Sequence, residues 1–156
     1  MFAGGFSLED HLFKGLAFGH PFVKAIGMAR APLTAAMASA AVWRRINEES
    51  DEMLISRYGR EKDEIFFGAN MARKLVDGRF EELSAGGLGV FTYFMRIEQG
   101  LKQLMAGARK FNLADPACAP SRRDLAALTK QAAEITAVPY IMDHDRREAE
   151  EILAAV

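Results

Sequence analysis

The sequence has few of the residues that build metal and redox sites. It contains one cysteine and three histidines in 156 residues. Cys118 alone cannot form an internal disulfide, and a single thiolate cannot supply a zinc cluster of several cysteines. No histidine follows a glutamate by three positions, so the Glu-x-x-His pairs of di-iron bundles are absent, as is a His-Glu-x-x-His zinc motif. We therefore expect no metal site and no cofactor.

An excess of charge of either sign is also lacking. Twenty basic and 21 acidic side chains give a net charge of −1. A dedicated nucleic-acid binder usually carries a clear basic excess, so we expect no nucleic-acid partner. Half of the residues are hydrophobic, which excludes an intrinsically disordered chain. The length predicts a single domain over residues 1–156.

Strand signals are missing, and helix-forming residues take their place. No stretch alternates apolar and polar residues between turn signals, and alanine, leucine, glutamate, lysine and arginine dominate. The sequence therefore predicts an all-α fold, a bundle of five to seven helices. Five prolines and several glycines punctuate it, and we place helices at residues 8–19, 21–30, 33–58, 61–76 and 90–111, one beginning near 121 and one near 140.

This pattern divides the predicted domain into a main bundle (7–113), a linker (114–120) and a C-terminal helical hairpin (121–156). Phe67, Met71 and Leu75 are spaced four apart and should share one helix face. Gly86-Gly87-Leu88-Gly89, just before the fifth helix, is either a flexible turn or a turn that offers backbone N–H groups to an anion. No P-loop motif accompanies it.

The segment 11–43 contains no acidic side chain and is rich in alanine and phenylalanine. Lys24, Arg30 and two prolines interrupt its apolar run, so we reject a membrane span, and a signal peptide also fits poorly. Two interpretations stay open. The segment is either the central hairpin of the bundle or a surface that contacts lipid headgroups or a partner's groove.

Phenylalanine and methionine are abundant, with eleven and eight copies. The helix around residues 90–95 is apolar on every side, so it is either central or has a second face that meets a ligand or another subunit. As binding residues we select one aromatic group in the N-terminal segment and one in this helix: Phe13, Phe18, Phe22, Phe91, Tyr93 and Phe94.

One short motif, His11-Leu12-Phe13-Lys14-Gly15, resembles the His-x-x-Lys-Gly core of histidine phosphotransfer domains, which are four-helix bundles. The resemblance implies that His11 accepts a phosphoryl group, that Lys14 neutralises it and that Gly15 leaves room for a docking partner. The alternative is a half-exposed histidine on an ordinary capped helix. His11 and Lys14 are the only candidates for catalytic residues, and no other catalytic arrangement is readable.

The sequence therefore predicts a non-catalytic, cytoplasmic protein–protein interaction module, an adaptor, assembly factor or regulatory subunit acting through apolar helix faces. Its partner is another protein or a second copy in a homo-oligomer. The first alternative is a bundle that binds an apolar small molecule or, through peripheral contact, a membrane surface. The second is a phosphotransfer protein that uses His11.

Overall fold

A computed structural model describes residues 1–115, 118–121, 124–125, 130–137, 140, 151 and 154. The described residues are mostly helical, which confirms the all-α class. The elements, in chain order, are β1 (Phe2–Ala3), α1 (Glu9–Gly19), β2 (Ile26–Gly27), α2 (Arg30–Asn47), α3 (Glu52–Tyr58), α4 (Lys62–Ile65), α5 (Ala69–Leu75), a 3-10 turn (Phe80–Glu82), α6 (Ala85–Gly107) and α7 (Lys130–Thr136).

The chain forms two compact units, and the boundary between them falls within α6. Unit 1 comprises Met1–Ala3, Leu8–Gly27 and the described residues from Gly100 onward, and unit 2 comprises Gly4–Ser7 and Met28–Gln99. Each unit has its own apolar core. The core of unit 1 contains Phe13, Ala17, Met105 and Leu125. The core of unit 2 contains Phe66, Ala69, Ala72, Phe80, Ala85 and Leu88. The organisation as one domain stays a prediction.

Unit 1 begins with a short parallel strand pair and α1. Two acidic residues in the first turn of α1 complement the helix dipole, and the helix ends at Gly19, as the sequence predicts. The predicted helix at 21–30 is wrong. After a turn, β2 pairs with β1 there, and Gly27 lies opposite Ala3. This pairing joins residues far apart in sequence, so no local pattern could indicate it.

Unit 2 contains two of the predicted helices, each divided in two. The predicted helix 33–58 breaks after Asn47, because the Asp51 carboxylate caps α3 by accepting a hydrogen bond from the Leu54 N–H at 3.1 Å. Gly59 ends α3 with a φ of 84°, as predicted. The predicted helix 61–76 breaks at Gly68, whose φ of 85° is left-handed.

The long helix α6 begins earlier than predicted, at Ala85. Its early glycines are not a flexible turn, because they lie inside the helix, where Gly86 and Gly89 approach α2. The Gly87 N–H donates a hydrogen bond of 3.1 Å to the Ser84 hydroxyl. A Cβ at Gly86 would lie 3.3 Å from the Ala36 carbonyl oxygen. A Cβ at Gly89 would overlap the Ser39 side chain and lie 2.8 Å from the Ala35 carbonyl oxygen. Glycine therefore permits the close approach of these two helices.

Substituting Gly89→Ala should lower the free energy of unfolding of unit 2 by about 1–3 kcal/mol, because the added methyl group forces α2 away from α6. Gly107→Ala, at the end of the same helix and in unit 1, is the control, since a Cβ there meets nothing within 4 Å. This control should leave stability unchanged or raise it slightly. Urea unfolding followed by the fluorescence of Trp43, the single tryptophan, measures both. Equal midpoints for the two variants would contradict the close approach.

The C-terminal region is described only in part. Within the predicted linker, Ala119 and Pro120 are buried rather than exposed. Asp124 accepts hydrogen bonds from the backbone N–H and the hydroxyl of Ser121, at 2.6 and 2.8 Å. The short helix α7 lies within the predicted sixth helix. The last predicted helix, and with it the closure of the hairpin, lies almost entirely outside the described residues.

Candidate functional site

Helix α2 has two sharply different faces. Positions at helical spacing on its inner face include Ser39, Val42 and Ile46, and Ile46 is only 2% exposed. On the opposite side, Leu33 and Met37 are 60% and 66% exposed. The helical period of 3.6 residues places these two side chains, together with two alanines, on one surface. We call this surface the α2 outer face: Leu33, Met37, Ala40 and Ala41.

The α2 outer face is apolar over its whole length and charged only at its ends. No charged residue occurs between Arg30, which begins the helix, and Arg44. Glu48 follows the last residue of the helix and still has helical backbone angles. Arg30 and Glu48 are both exposed, and neither has an ion-pair partner among the described residues.

The other two arginines near the end of α2 are already paired within the chain. The Arg44 Nε lies 3.4 Å from a carboxylate oxygen of Glu49. Arg45 donates a hydrogen bond to the Asp51 carboxylate that also caps α3. The hydrogen bond from the Leu54 N–H and the charge of Arg45 hold the pKa of Asp51 below its usual value. Helical spacing also places Arg44 on the side of the outer face, one turn before Glu48, where Glu49 offsets its charge. Arg30 and Glu48 are the end charges that have no ion-pair partner among the described residues.

A second apolar surface of unit 2 lies on and just before α5. The sequence places Phe67, Met71 and Leu75 on one face, and the structure shows that this face points outward. Their exposed fractions are 53%, 50% and 68%. The residues of α5 that enter the core are the small Ala69 and Ala72. We call this surface the α5 stripe: Phe67, Met71 and Leu75.

Two cations contact the ring of Phe80, which is 1% exposed, beside the inner side of α5. The guanidinium carbon of Arg73 lies 4.0 Å from the centre of the Phe80 ring, and Arg73 also donates a hydrogen bond of 2.6 Å to Asp63. The Lys62 Nζ lies 5.8 Å from the same ring and 5.7 Å from the Trp43 ring. These cation–π contacts and ion pairs hold the α5 stripe away from the core.

The selected aromatic residues of α6 occupy different environments. Phe91 is half-buried and packs against the core of unit 2. Tyr93 donates a hydrogen bond of 2.7 Å from its hydroxyl to the Ser7 carbonyl oxygen. Phe94 contacts Tyr93 edge-to-face, with ring centres 5.4 Å apart, and is 46% exposed. Of the three rings, Phe94 offers the most surface to a partner.

The selected aromatic residues of unit 1 also separate. Phe13 has no exposed surface and lies in the core of the unit. Phe18 is 44% exposed, and Phe22, in the turn after α1, is 89% exposed. An external partner can therefore reach Phe18 and Phe22 in this conformation but not Phe13.

The environment of His11 differs from the one that its motif implies. The Lys14 Nζ donates a hydrogen bond of 2.8 Å to Asp10, and the other Asp10 oxygen lies 4.0 Å from the His11 Nε2. Desolvation raises the pKa of Asp10, but the hydrogen bond and charge of Lys14 outweigh it, so the pKa is lowered overall. A phosphoryl group on His11 would therefore lie near the negative charge of Asp10. Lys14 already donates a hydrogen bond to that carboxylate instead of neutralising the phosphoryl group. Gly15 is buried.

Cys118 is exposed but is not activated as a nucleophile. The hydrogen bond and the negative charge of Asp115 raise the pKa of the thiol, and the weaker effect of Lys110 opposes them. The thiol form therefore dominates at neutral pH. In the part of the chain that the structure describes, no group of three or more His, Cys, Asp or Glu side chains is arranged to hold a metal ion.

A shallow apolar groove of about 230 Å³ lies in unit 2, lined by residues of α2, α3, α4 and α6 and by Phe66 just after α4. The hydroxyl-bearing residues Ser39, Tyr58 and Thr92 contribute to its lining, and Thr92 already donates a hydrogen bond of 2.8 Å to the Phe67 carbonyl oxygen. Sites for small molecules usually enclose about 300–1,000 Å³ and surround most of the ligand. This groove is smaller and open.

Among the described helices, none combines the length and the apolar character needed to cross a membrane. No protein-family model, curated protein or solved structure matches the chain.

The sequence analysis missed Leu33 and Met37. The segment 31–43 is uncharged all round, so its pattern indicates an apolar helix without indicating which face is exposed. The four-residue spacing from Leu33 to Met37 and Ala41, opposite Ser39 and Ile46, is the signal that separates the two faces.

Proposed function

We propose that this protein is a non-catalytic interaction module that associates with a second copy of itself through the α2 outer face. The observation that carries the proposal is the exposure of Leu33 and Met37, at 60% and 66%, on a helix face without internal charges. Large apolar side chains that cluster on one surface usually mark a site of protein contact.

The energetic argument follows from the area that association would remove from water. Full burial of a leucine or methionine side chain contributes about 1.5–3 kcal/mol. A symmetric dimer buries Leu33 and Met37 of both copies, and therefore four such side chains. Ala40 and Ala41 on the same face let two helix backbones approach closely, which improves the packing around the larger residues.

The charges at the ends of the face favour a second copy over an unrelated partner. The face begins at a cation, Arg30, and ends at an anion, Glu48. A surface with opposite charges at its two ends is complementary to itself when it is turned end for end. Most homodimers use such a self-complementary surface, in which the same patch serves on both copies.

The test is the mass of the purified chain over a range of concentrations, measured by light scattering after size-exclusion chromatography and by sedimentation equilibrium. The chain has a mass of 17.2 kDa, and we expect the wild type to reach twice this value. Met37→Glu should raise the Kd of the dimer by about 100-fold or more, because each interface would then bury two unpaired carboxylates.

Met53→Glu is the matched control, because Met53 lies on α3 of the same unit and is 71% exposed. This variant introduces the same charge at an equally accessible methionine and should leave the Kd unchanged. A monomeric wild type at every concentration, or equal effects of the two variants, would overturn the proposal. A native mass that exceeds a whole number of chains, and loses the excess on denaturation, would instead favour the alternative of a bundle that binds a small molecule.

A further inference from the structure

We propose that the two α2 helices of the dimer run antiparallel, with Arg30 of each copy facing the partner's Glu48. The inference rests on the proposed function and deepens it, because it assigns the direction and the register of the contact. It depends on three observations about α2: the alignment of the two end charges, their position relative to the helix dipole, and the pairing of the neighbouring arginines.

The end charges are aligned along one line of the helix. Glu48 follows Arg30 by eighteen positions, which is five full turns at 3.6 residues per turn. The two Cα atoms therefore lie on the same side of the helix, about 27 Å apart at 1.5 Å per residue. Met37 and Ala41 lie between them, close to this line, and Leu33 lies about 60° to one side of it.

An antiparallel pair that matches both end charges has only one register. Here a twofold axis passes the outer face at the height of position 39, midway between the two end charges. It brings Arg30 opposite the partner's Glu48 at both ends of the contact. The same register places Met37 opposite the partner's Ala41, a large side chain against a small one, as knobs-into-holes packing requires. A parallel pair would instead place Arg30 opposite the partner's Arg30, which is repulsive.

The helix dipole favours the same direction. Arg30 lies at the positive N-terminal end of α2 and Glu48 at the negative C-terminal end, so each charge opposes the dipole of its own helix. In the antiparallel pair, each charge lies beside the favourable end of the other helix. Two charges that are unfavourable in the monomer thus become favourable in the dimer.

The charged groups near the C-terminal end of α2 are negative on balance, with two arginines against four carboxylates. Arg44 and Arg45 would be the cations nearest to the partner's Arg30, but they are paired with Glu49 and Asp51 within their own chain. Glu52 begins α3 and adds a further negative charge to this end. The C-terminal end of α2 is therefore net negative where the partner's Arg30 arrives.

Charge reversal tests the register. We expect Arg30→Glu and Glu48→Arg each to raise the Kd of the dimer by about 10-fold at low ionic strength, because each replaces two attractive contacts with two repulsive ones. The double variant R30E/E48R restores attraction with the signs exchanged, so its Kd should return to within about 3-fold of the wild type. Each reversal also suits the dipole of its own helix, so the monomer keeps its fold. Circular dichroism checks this.

The outcomes distinguish this inference from the proposed function. If Met37→Glu disrupts the dimer while the two reversals act independently, with no recovery in the double variant, the α2 outer face is correct and the antiparallel register is wrong. If the single reversals leave the Kd unchanged, the end charges do not meet and the register is again wrong. A wild type that is monomeric at every concentration overturns both proposals.

Discussion

Replacing Phe80 with alanine should lower the free energy of unfolding of unit 2 by about 3–5 kcal/mol, the range for a fully buried phenylalanine. Phe80 is 1% exposed, and its ring is the surface on which Arg73 and Lys62 rest. The substitution removes the ring from the core and leaves a cavity. It also removes the cation–π partner that both cations share, so it weakens the attachment of α5.

Urea unfolding followed by Trp43 fluorescence measures this effect, because Trp43 packs against the same core. Phe94→Ala is the matched control, since Phe94 belongs to the same unit and is 46% exposed. We expect this control to lose much less stability than Phe80→Ala. Equal losses would mean that another surface covers the Phe94 ring in solution. Repeating the unfolding at low protein concentration would then test whether association between chains covers it.

The helical class was predictable because it follows from composition, which acts on every residue. Alanine and the long unbranched side chains favour helix wherever they occur, and glycine at position 59 ended a helix as predicted. The errors arose where a contact distant in sequence decided the local structure. The glycines at 86, 87 and 89 indicate a turn by composition, but they lie in a helix, and two of them allow α2 to approach closely at Ala36 and Ser39.

The break at Gly68 has a related cause. The four-residue spacing of the α5 stripe correctly placed its members on one side, but it also suggested a single continuous helix. Gly68 interrupts that helix in a left-handed conformation, and a Cβ there would lie 2.6 Å from the Met95 sulfur. Met95 lies on α6, so the residues next to Gly68 in the sequence do not indicate this contact.

The sequence does not indicate whether an apolar helix face points toward the core or toward solvent. On α5 the core takes two alanines and leaves Met71 and Leu75 outside. Hydrophobic periodicity favours burial of the larger residues, because it measures apolar character and ignores the space available. Here the space beside Phe66 and Phe80 accepts only small side chains.

Replacing Phe13 with alanine should destabilise unit 1 by about 3–5 kcal/mol. Phe13 has no exposed surface and packs with Met105 and Leu125. The sequence predicts Phe13 as a binding residue, whereas the structure places it in the core of unit 1. The two roles predict different results for this substitution. Loss of a core ring loosens α1 in every copy at any protein concentration, whereas loss of a contact ring changes only the association.

Amide hydrogen exchange followed by mass spectrometry measures the local effect. Peptides that cover residues 9–19 should exchange roughly 100-fold faster or more in Phe13→Ala, the factor that corresponds to a loss of about 3 kcal/mol. Phe22→Ala is the control, because Phe22 is 89% exposed and its loss should change exchange little. Unchanged exchange in Phe13→Ala would show that the ring is not part of the core. Weaker association of Phe22→Ala with normal exchange would add the turn after α1 to the contact surface.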